Sequence, residues 1–255
     1  MTSFTSLSEF LHKSLNKLLN AKLIDGRNVY KHWEIDTIRK LLTYCQVDCV
    51  FDVGANTGQY AGMLRNSVGY QGLIISFEPD PGSADLLRKQ ARNSTNWLVE
   101  ECAISSANGH AMFNIMSGSK FSSLSKPRHD KFSGLEGLNT TRHSVRVKTE
   151  RLDTALARLQ KKYSFEHPFL KMDTQGYDYL IVDSARDCMG KFVALQSELS
   201  VVPLYESCRD FRDALKLYEE CGFELSALIP NNSGHFPKLL EVDCVMVRSA
   251  RISPP

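Results

Sequence analysis

The chain has 255 residues, with 31 Lys and Arg against 29 Asp and Glu and a net charge of +2. That length suits one α/β domain with an extension, and the balanced charge, without a basic stripe interleaved with aromatics, does not point to nucleic acid as the partner. Seven cysteines, scattered and without a Cys-x-x-Cys pair, argue against a disulfide framework and a zinc site and suit a reduced, cytoplasmic protein.

Residues 1–46 read as a helical extension. Ser6 or Ser8 can cap a first helix with the stripe Leu11, Leu15, Leu18 and Leu19, and Ile35, Ile38, Leu41 and Leu42 mark the apolar face of a second. No segment has the length of a membrane span, and no signal-type apolar core opens the chain. From Val47 strands alternate with helices. Strands are expected near 48–53, 73–77, 97–99, 168–172, 192–197, 223–229 and 241–248, with helices near 59–67, 81–93, 176–187 and 208–221. Pro81 suits a first helical turn and Gly222 a helix end. This alternation predicts a doubly wound, Rossmann-like, mostly parallel sheet of seven strands over 47–249, with 250–255 as a tail. Residues 104–149 interrupt it. Period-two character at 111–115 and 144–149, around a serine-rich stretch, predicts an inserted antiparallel pair whose long loop can serve as a substrate lid.

The most informative segment is Val50-Phe51-Asp52-Val53-Gly54-Ala55-Asn56-Thr57-Gly58. A buried strand runs through a glycine turn into a helix, where α/β proteins meet their ligands. The spacing Asp-x-Gly-x-x-x-Gly is neither the dinucleotide fingerprint nor a P-loop. It is similar to motif I of class I S-adenosylmethionine methyltransferases, and a turn without a ligand is the plainer alternative. Glu78, in Phe77-Glu78-Pro79, lies 20 residues past Gly58 and is placed to accept hydrogen bonds from ribose hydroxyls. At the third strand's tip, Glu101 or the backbone of Cys102 and Ala103 can face an adenine. The expected cofactor set is Asp52, Gly54, Asn56, Thr57, Gly58, Glu78, Pro79, Cys102 and Ala103.

The fourth strand ends in Lys171-Met172-Asp173-Thr174-Gln175-Gly176. Lys171 and Asp173 share a face of an otherwise apolar strand, so they form either a structural ion pair or part of a site. Glu198 ends the fifth strand on the same rim, and the polar loop 231–234 leads to His235.

Taken together, VFDVGANTG, FEP, the Ser-Ser-Leu of 122–124, RLD at 151–153 and KMDTQGYD at 171–178 resemble the FkbM family of methyltransferases over about 48–248. The resemblance implies a class I fold, S-adenosylmethionine as cofactor, and O-methylation of a hydroxyl on a sugar, glycan or natural product. The family's fourth-strand motif commonly carries Glu where this chain has Gln175, which removes a charge and a possible base. Asp173 is the first candidate base, followed by Glu198, His235 and His143. No cluster has credible metal-ligand spacing, so metal-assisted transfer is not expected. A non-catalytic S-adenosylmethionine-binding subunit is the rival reading, and a nicotinamide oxidoreductase ranks below it for want of the glycine spacing. The acceptor and the oligomeric state have no motif.

Overall fold

The computed structural model describes residues 29–128, 137, 140–230 and 237–252. The first predicted helix, with its serine caps and leucine stripe, and the loop carrying His235 lie outside them. No helix among the described residues is long and apolar enough to cross a membrane.

Seven strands form the main sheet: β1 (Cys49–Val53), β2 (Leu73–Phe77), β3 (Trp97–Glu100), β7 (Pro168–Met172), β8 (Ala194–Ser200), β9 (Phe223–Pro230) and β10 (Glu241–Arg248). Their order is β3-β2-β1-β7-β8-β10-β9. All are parallel except β10, which runs against both β8 and β9. The chain builds outward from β1 to β3, then returns to the other side of β1 with β7. This reversal opens a crevice at the carboxyl ends of β1 and β7, where open α/β sheets bind ligands.

Each face of the sheet is covered. Val50, Phe169, Ala194 and Val245 meet α1 (Val29–Tyr44), α2 (Gln59–Met63) and α3 (Pro81–Ala91) through Ile38, Leu41, Leu42, Ala61 and Leu87, with Leu64 of the turn Leu64–Val68 beside them. The opposite face, with Phe51, Leu170, Leu195 and Cys244, meets α4 (Leu152–Tyr163), α5 (Asp178–Ser184), α6 (Arg186–Met189) and α7 (Phe211–Glu220). Burial of these two stripes supplies most of the driving force, at about 25 cal/mol per Å² of apolar surface. The predicted punctuation is in place. Pro81 opens α3, with the Asp80 carboxylate accepting from the N–H groups of Gly82 and Ser83, and Gly222 follows α7 with φ +84°.

Two elements go beyond the sequence reading. The insert is a three-stranded sheet in the order β4-β6-β5, because β4 (Ala103–Ser105) joins β6 (Thr141–Arg151) in parallel beside the expected antiparallel partner β5 (Gly109–Met116). Helix α4 follows β6 without a break, since Arg151 ends the strand and Leu152 starts the helix. Its apolar stripe Leu152, Ala155, Leu156 and Leu159 is helical in period, yet no turn residue announces it.

The RLD segment is a structural knot. The Arg151 guanidinium donates to the Asp153 carboxylate at 2.6 Å and to the carbonyls of Ser184 and Ser106, tying the insert's end to α4 and α5.

Candidate active site

The crevice is a cavity of about 500 Å³. One end is built from the turn after β1, the tip of β2 and the insert, and is lined by Gly54, Asn56, Glu78, Pro79, Ala103 and Phe113. The other end lies over β7, β8 and β10, roofed by α1 and α2, and is lined by Glu34, Tyr60, Lys171, Asp173, Glu198, Glu241 and Asp243, among others.

At the glycine turn, Gly54 has φ +79°, and a Cβ there would lie 2.0 Å from the Asp173 carbonyl oxygen. A side chain would push the β1 and β7 turns apart and open the crevice, so glycine is required by backbone against backbone. The N–H groups of Gly54 and Ala55 donate to the Phe77 carbonyl, that of Asn56 to Glu78, and that of Gly58 to the Ala55 carbonyl. With these donors used internally, the turn is no phosphate cradle, which disfavours a pyrophosphate-bearing dinucleotide.

The predicted site residues divide in two. Gly54, Asn56, Glu78, Pro79, Ala103, Asp173 and Glu198 line the cavity. Asp52, Thr57, Gly58 and Cys102 are not in that lining. Asp52 is fully buried, where it accepts from the Ser76 hydroxyl at 2.9 Å while Ser76 accepts from the Trp97 indole N–H at 3.0 Å. Gly58 backs onto Leu87 and Trp97, and Cys102 is a core residue. Glu101 is paired with Arg88 instead of facing the cavity, and His143 sits on the exposed side of β6.

Glu78 is buried, and its two oxygens accept from the backbone N–H groups of Asn56 at 2.7 Å and Asp80 at 2.8 Å. Burial pushes its carboxyl up to about 7 against the pull of these two bonds. Asn56 and Asp52 each keep a buried side-chain oxygen without a hydrogen-bond partner. A carboxylate with remaining lone pairs beside an unsatisfied amide oxygen suits a ligand rich in O–H and N–H donors, and the nucleoside of S-adenosylmethionine is one.

At the centre, Gln175 organises the rim. Its amide nitrogen donates to Asp173 at 2.8 Å and to Glu198 at 2.8 Å, and its carbonyl accepts from the Tyr205 hydroxyl at 3.0 Å. Gln175 has φ +54°, a left-handed conformation costly for a residue with a side chain and offset by this network, and Gly176 follows at +87°, which glycine adopts freely. Lys171 lies 3.3 Å from Asp173 and over the Tyr60 ring. Burial pulls Lys171 toward the neutral amine, but Asp173, Asp52, Asp243 and Asp178 more than offset this and hold it charged. The ion pair expected as one alternative is present, and both of its residues line the cavity.

Tyr60, Gln196, Glu34, Glu241 and Asp243 escaped the sequence reading. The Tyr60 hydroxyl donates to Gln196 at 2.7 Å, and the Gln196 amide donates to Glu34 at 3.1 Å, which ties α1 and α2 to β8. Acids alternating with apolar residues at Glu241, Val242, Asp243 and Cys244 were the visible signal in β10.

The serine-rich stretch is anchored. The Ser123 hydroxyl donates to the carbonyls of Gln175 at 2.9 Å and Thr174 at 3.1 Å, and the Ser122 hydroxyl accepts from the Met116 N–H. The Tyr205 hydroxyl also reaches the Phe121 carbonyl at 2.9 Å. Residues 119–125 therefore form an anchored wall of the cavity, while residues 129–136, 138 and 139 of the loop expected to act as a lid lie outside the described residues.

Among solved structures, an FkbM methyltransferase from Methylobacillus flagellatus KT is 14% identical over 78% of this chain and 43% of its own, with a TM-score of 0.47. This chain thus spans less than half of that protein. Magnesium protoporphyrin IX methyltransferase from Synechocystis PCC 6803, crystallised with its cofactor, is 8% identical over 96% of each chain, with a TM-score of 0.46. Fibrillarin from Aeropyrum pernix is 12% identical over 78% of this chain and 66% of its own, with a TM-score of 0.41. No curated protein sequence matches the chain. The Methyltransferase FkbM domain matches residues 52–225, which run from the buried Asp52 through the Glu78, Ser123 and Gln175 segments just described, and the chain belongs to this S-adenosylmethionine-dependent family.

Proposed function

We propose that the protein is a methyltransferase that O-methylates a hydroxyl of a sugar, glycan or natural-product small molecule. The observation that carries this reading is the pair of carboxylates, Asp173 and Glu198, joined through the Gln175 amide between the two ends of the cavity. S-adenosylmethionine, when bound, supplies an activated methyl group, and what remains for the protein is positioning, water exclusion and a destination for one proton. Glu78 and Asn56 would hold the nucleoside, with Pro79, Ala103 and Phe113 against its base. Asp52, Thr57, Gly58 and Cys102 would act from behind by fixing the turn and the strand tip.

Asp173 would accept the proton of the acceptor hydroxyl. It lies beside Lys171, which keeps a compensating charge in place, and it is more open to the cavity than its neighbour. Glu198 is driven well above its ordinary range by burial and by the neighbouring acids Glu241, Asp173, Asp243 and Asp178, which suits it to hydrogen-bonding the acceptor more than to removing its proton. Residues 47–249 would form the catalytic unit, with α1 completing its roof.

Calorimetric titration with S-adenosylmethionine and S-adenosylhomocysteine, with NAD as control, tests the first half. Micromolar binding that Glu78→Ala abolishes is expected. Asp173→Asn should keep that binding and lower turnover with a hydroxylated acceptor by about 100-fold or more. A variant that binds cofactor and turns over at the wild-type rate would remove Asp173 from its role. Cofactor binding without turnover on any hydroxylated acceptor would instead favour a binding or regulatory subunit.

A further inference from the structure

The end of the cavity away from the glycine turn is strongly acidic. Glu34 from α1, Asp173 after β7, Glu198 from β8, and Glu241 and Asp243 from β10 line it, against Lys31, Lys120 and Lys171 in the lining of the whole cavity. Lys171 is engaged with Asp173 and Tyr60, two strand spacings from β10 or about 10 Å away. Strand register makes the grouping specific. Glu198 pairs with Asp243 across β8 and β10, and Glu241 lies two residues along on the same face.

Most of these acids have partners within the protein. Glu34 accepts from Gln196, while Asp173 and Glu198 accept from Gln175. Glu241 differs: it is only 6% exposed, lines the cavity, and its side chain makes no hydrogen bond or ion pair among the described residues. Asp243 beside it has none either, and its exposed fraction also faces the cavity. A carboxylate buried without a partner costs several kcal/mol unless something compensates it.

We propose that this end of the cavity recognises a cationic acceptor, a hydroxylated molecule carrying an ammonium group that Glu241 and Asp243 bind while Asp173 faces the hydroxyl to be methylated. This rests on reading the cavity as a methyl-acceptor site. An uncharged hydroxyl would satisfy lone pairs but leave the mutual repulsion of the carboxylates in place. A phosphate or carboxylate on the acceptor would add to it. An ammonium donates up to three hydrogen bonds and cancels charge at once. Burial and the neighbouring acids raise Glu241 to about 7 and Asp243 well above its ordinary value, and Lys171 offsets only part of the rise at Asp243. The cofactor's own cationic groups would lie by the glycine turn after β1, three strand spacings, about 14 Å, from β10. No trio of His, Cys, Asp or Glu among the described residues has metal-binding geometry, so an organic cation fits better than a metal ion.

The test is calorimetry on the protein saturated with S-adenosylhomocysteine, using glucosamine, N-acetylglucosamine and glucuronate, with magnesium chloride as a separate arm. Glucosamine is expected to bind about tenfold or more tightly than N-acetylglucosamine, with glucuronate weakest. Binding in two buffers of different ionisation heat should show proton release, as Glu241 and Asp243 ionise against the ammonium. Glu241→Gln and Asp243→Asn, singly and together, should remove the preference while S-adenosylhomocysteine still binds. Glucosamine binding no better than its acetylated form, including none at all, overturns the proposal. So does magnesium binding that the same variants abolish, which would assign these carboxylates to a metal. Failure of S-adenosylhomocysteine to bind would instead sink the proposed function, and the ammonium preference would then be read on the free protein.

Discussion

Gln175 shows how much one side chain can decide. An amide nitrogen carries two hydrogens, and here each goes to a different carboxylate, Asp173 and Glu198. A glutamate in its place would put a third carboxylate within hydrogen-bond distance of two others, with no hydrogen between them unless it takes up a proton. Gln175→Glu is therefore expected to destabilise the protein by about 1–3 kcal/mol at pH 8 and much less near pH 5. Denaturant unfolding at the two pH values measures it, and an equal loss at both would mean that charge is not the cause. Gln175→Ala should cost a similar amount at either pH, since it leaves Asp173 and Glu198 without their shared donor. Read by itself, the sequence suggests at this position only a lost acid. That glutamine is also a bridge depends on where β8 places Glu198, which lies 23 residues away in the chain.

At the scale of elements, the central sheet was legible and the insert was half legible. Strands β1, β2, β7 and β8 are apolar runs ending in polar tips, so a parallel sheet followed from their alternation with helices, whereas the strand order and the crevice between β1 and β7 did not. Glu78, Asp173 and Glu198 were readable because each is an acid just beyond such a run. The packing behind the site was not readable. Nothing local says that Ser123 reaches across 52 residues to the Gln175 carbonyl, or that Tyr205 closes onto Phe121. These bonds make 119–125 a wall, and its rigidity is testable. Ser123→Ala leaves the Thr174 and Gln175 carbonyls without their shared donor and should cost about 1–2 kcal/mol of stability. It should also raise hydrogen exchange at 119–125 and at the Gln175 turn together. Faster exchange in the insert alone would mean that the turn is held by Asp178 and Tyr205 without help from Ser123.

For the whole molecule, buried acids in and behind the cavity set how stability varies with pH. Glu78 and Glu241 are each raised from 4.5 to about 7, chiefly by burial, and burial also raises Glu198, Asp243, Asp52 and Asp178. A carboxyl whose value is higher folded than unfolded binds its proton more firmly in the native state. The burial penalty is then absent below about pH 4.5, grows as pH rises, and is complete above about pH 7. All six acids act in the same direction in that window. Asp153 has the opposite sign, lowered by Arg151, so the stability it contributes is lost only as pH falls below the ordinary carboxylate range. The ligand-free protein should therefore melt at a higher temperature near pH 5 than near pH 8. Glu241 can be isolated because its side chain has no hydrogen-bond or ion-pair partner to orphan among the described residues. Glu241→Gln should raise the melting midpoint at pH 8 by about 2–6 °C, equivalent to about 1–2 kcal/mol, and leave it unchanged near pH 4.5. Scanning calorimetry of the two proteins across that range measures the difference. A midpoint that Glu241→Gln lowers at pH 8 would show that the carboxylate is stabilising where it sits, and that the native fold already supplies the positive charge we assign to the ligand. A raised midpoint would instead mark Glu241 as a residue kept at a cost to folding, the pattern expected where binding sets the requirement.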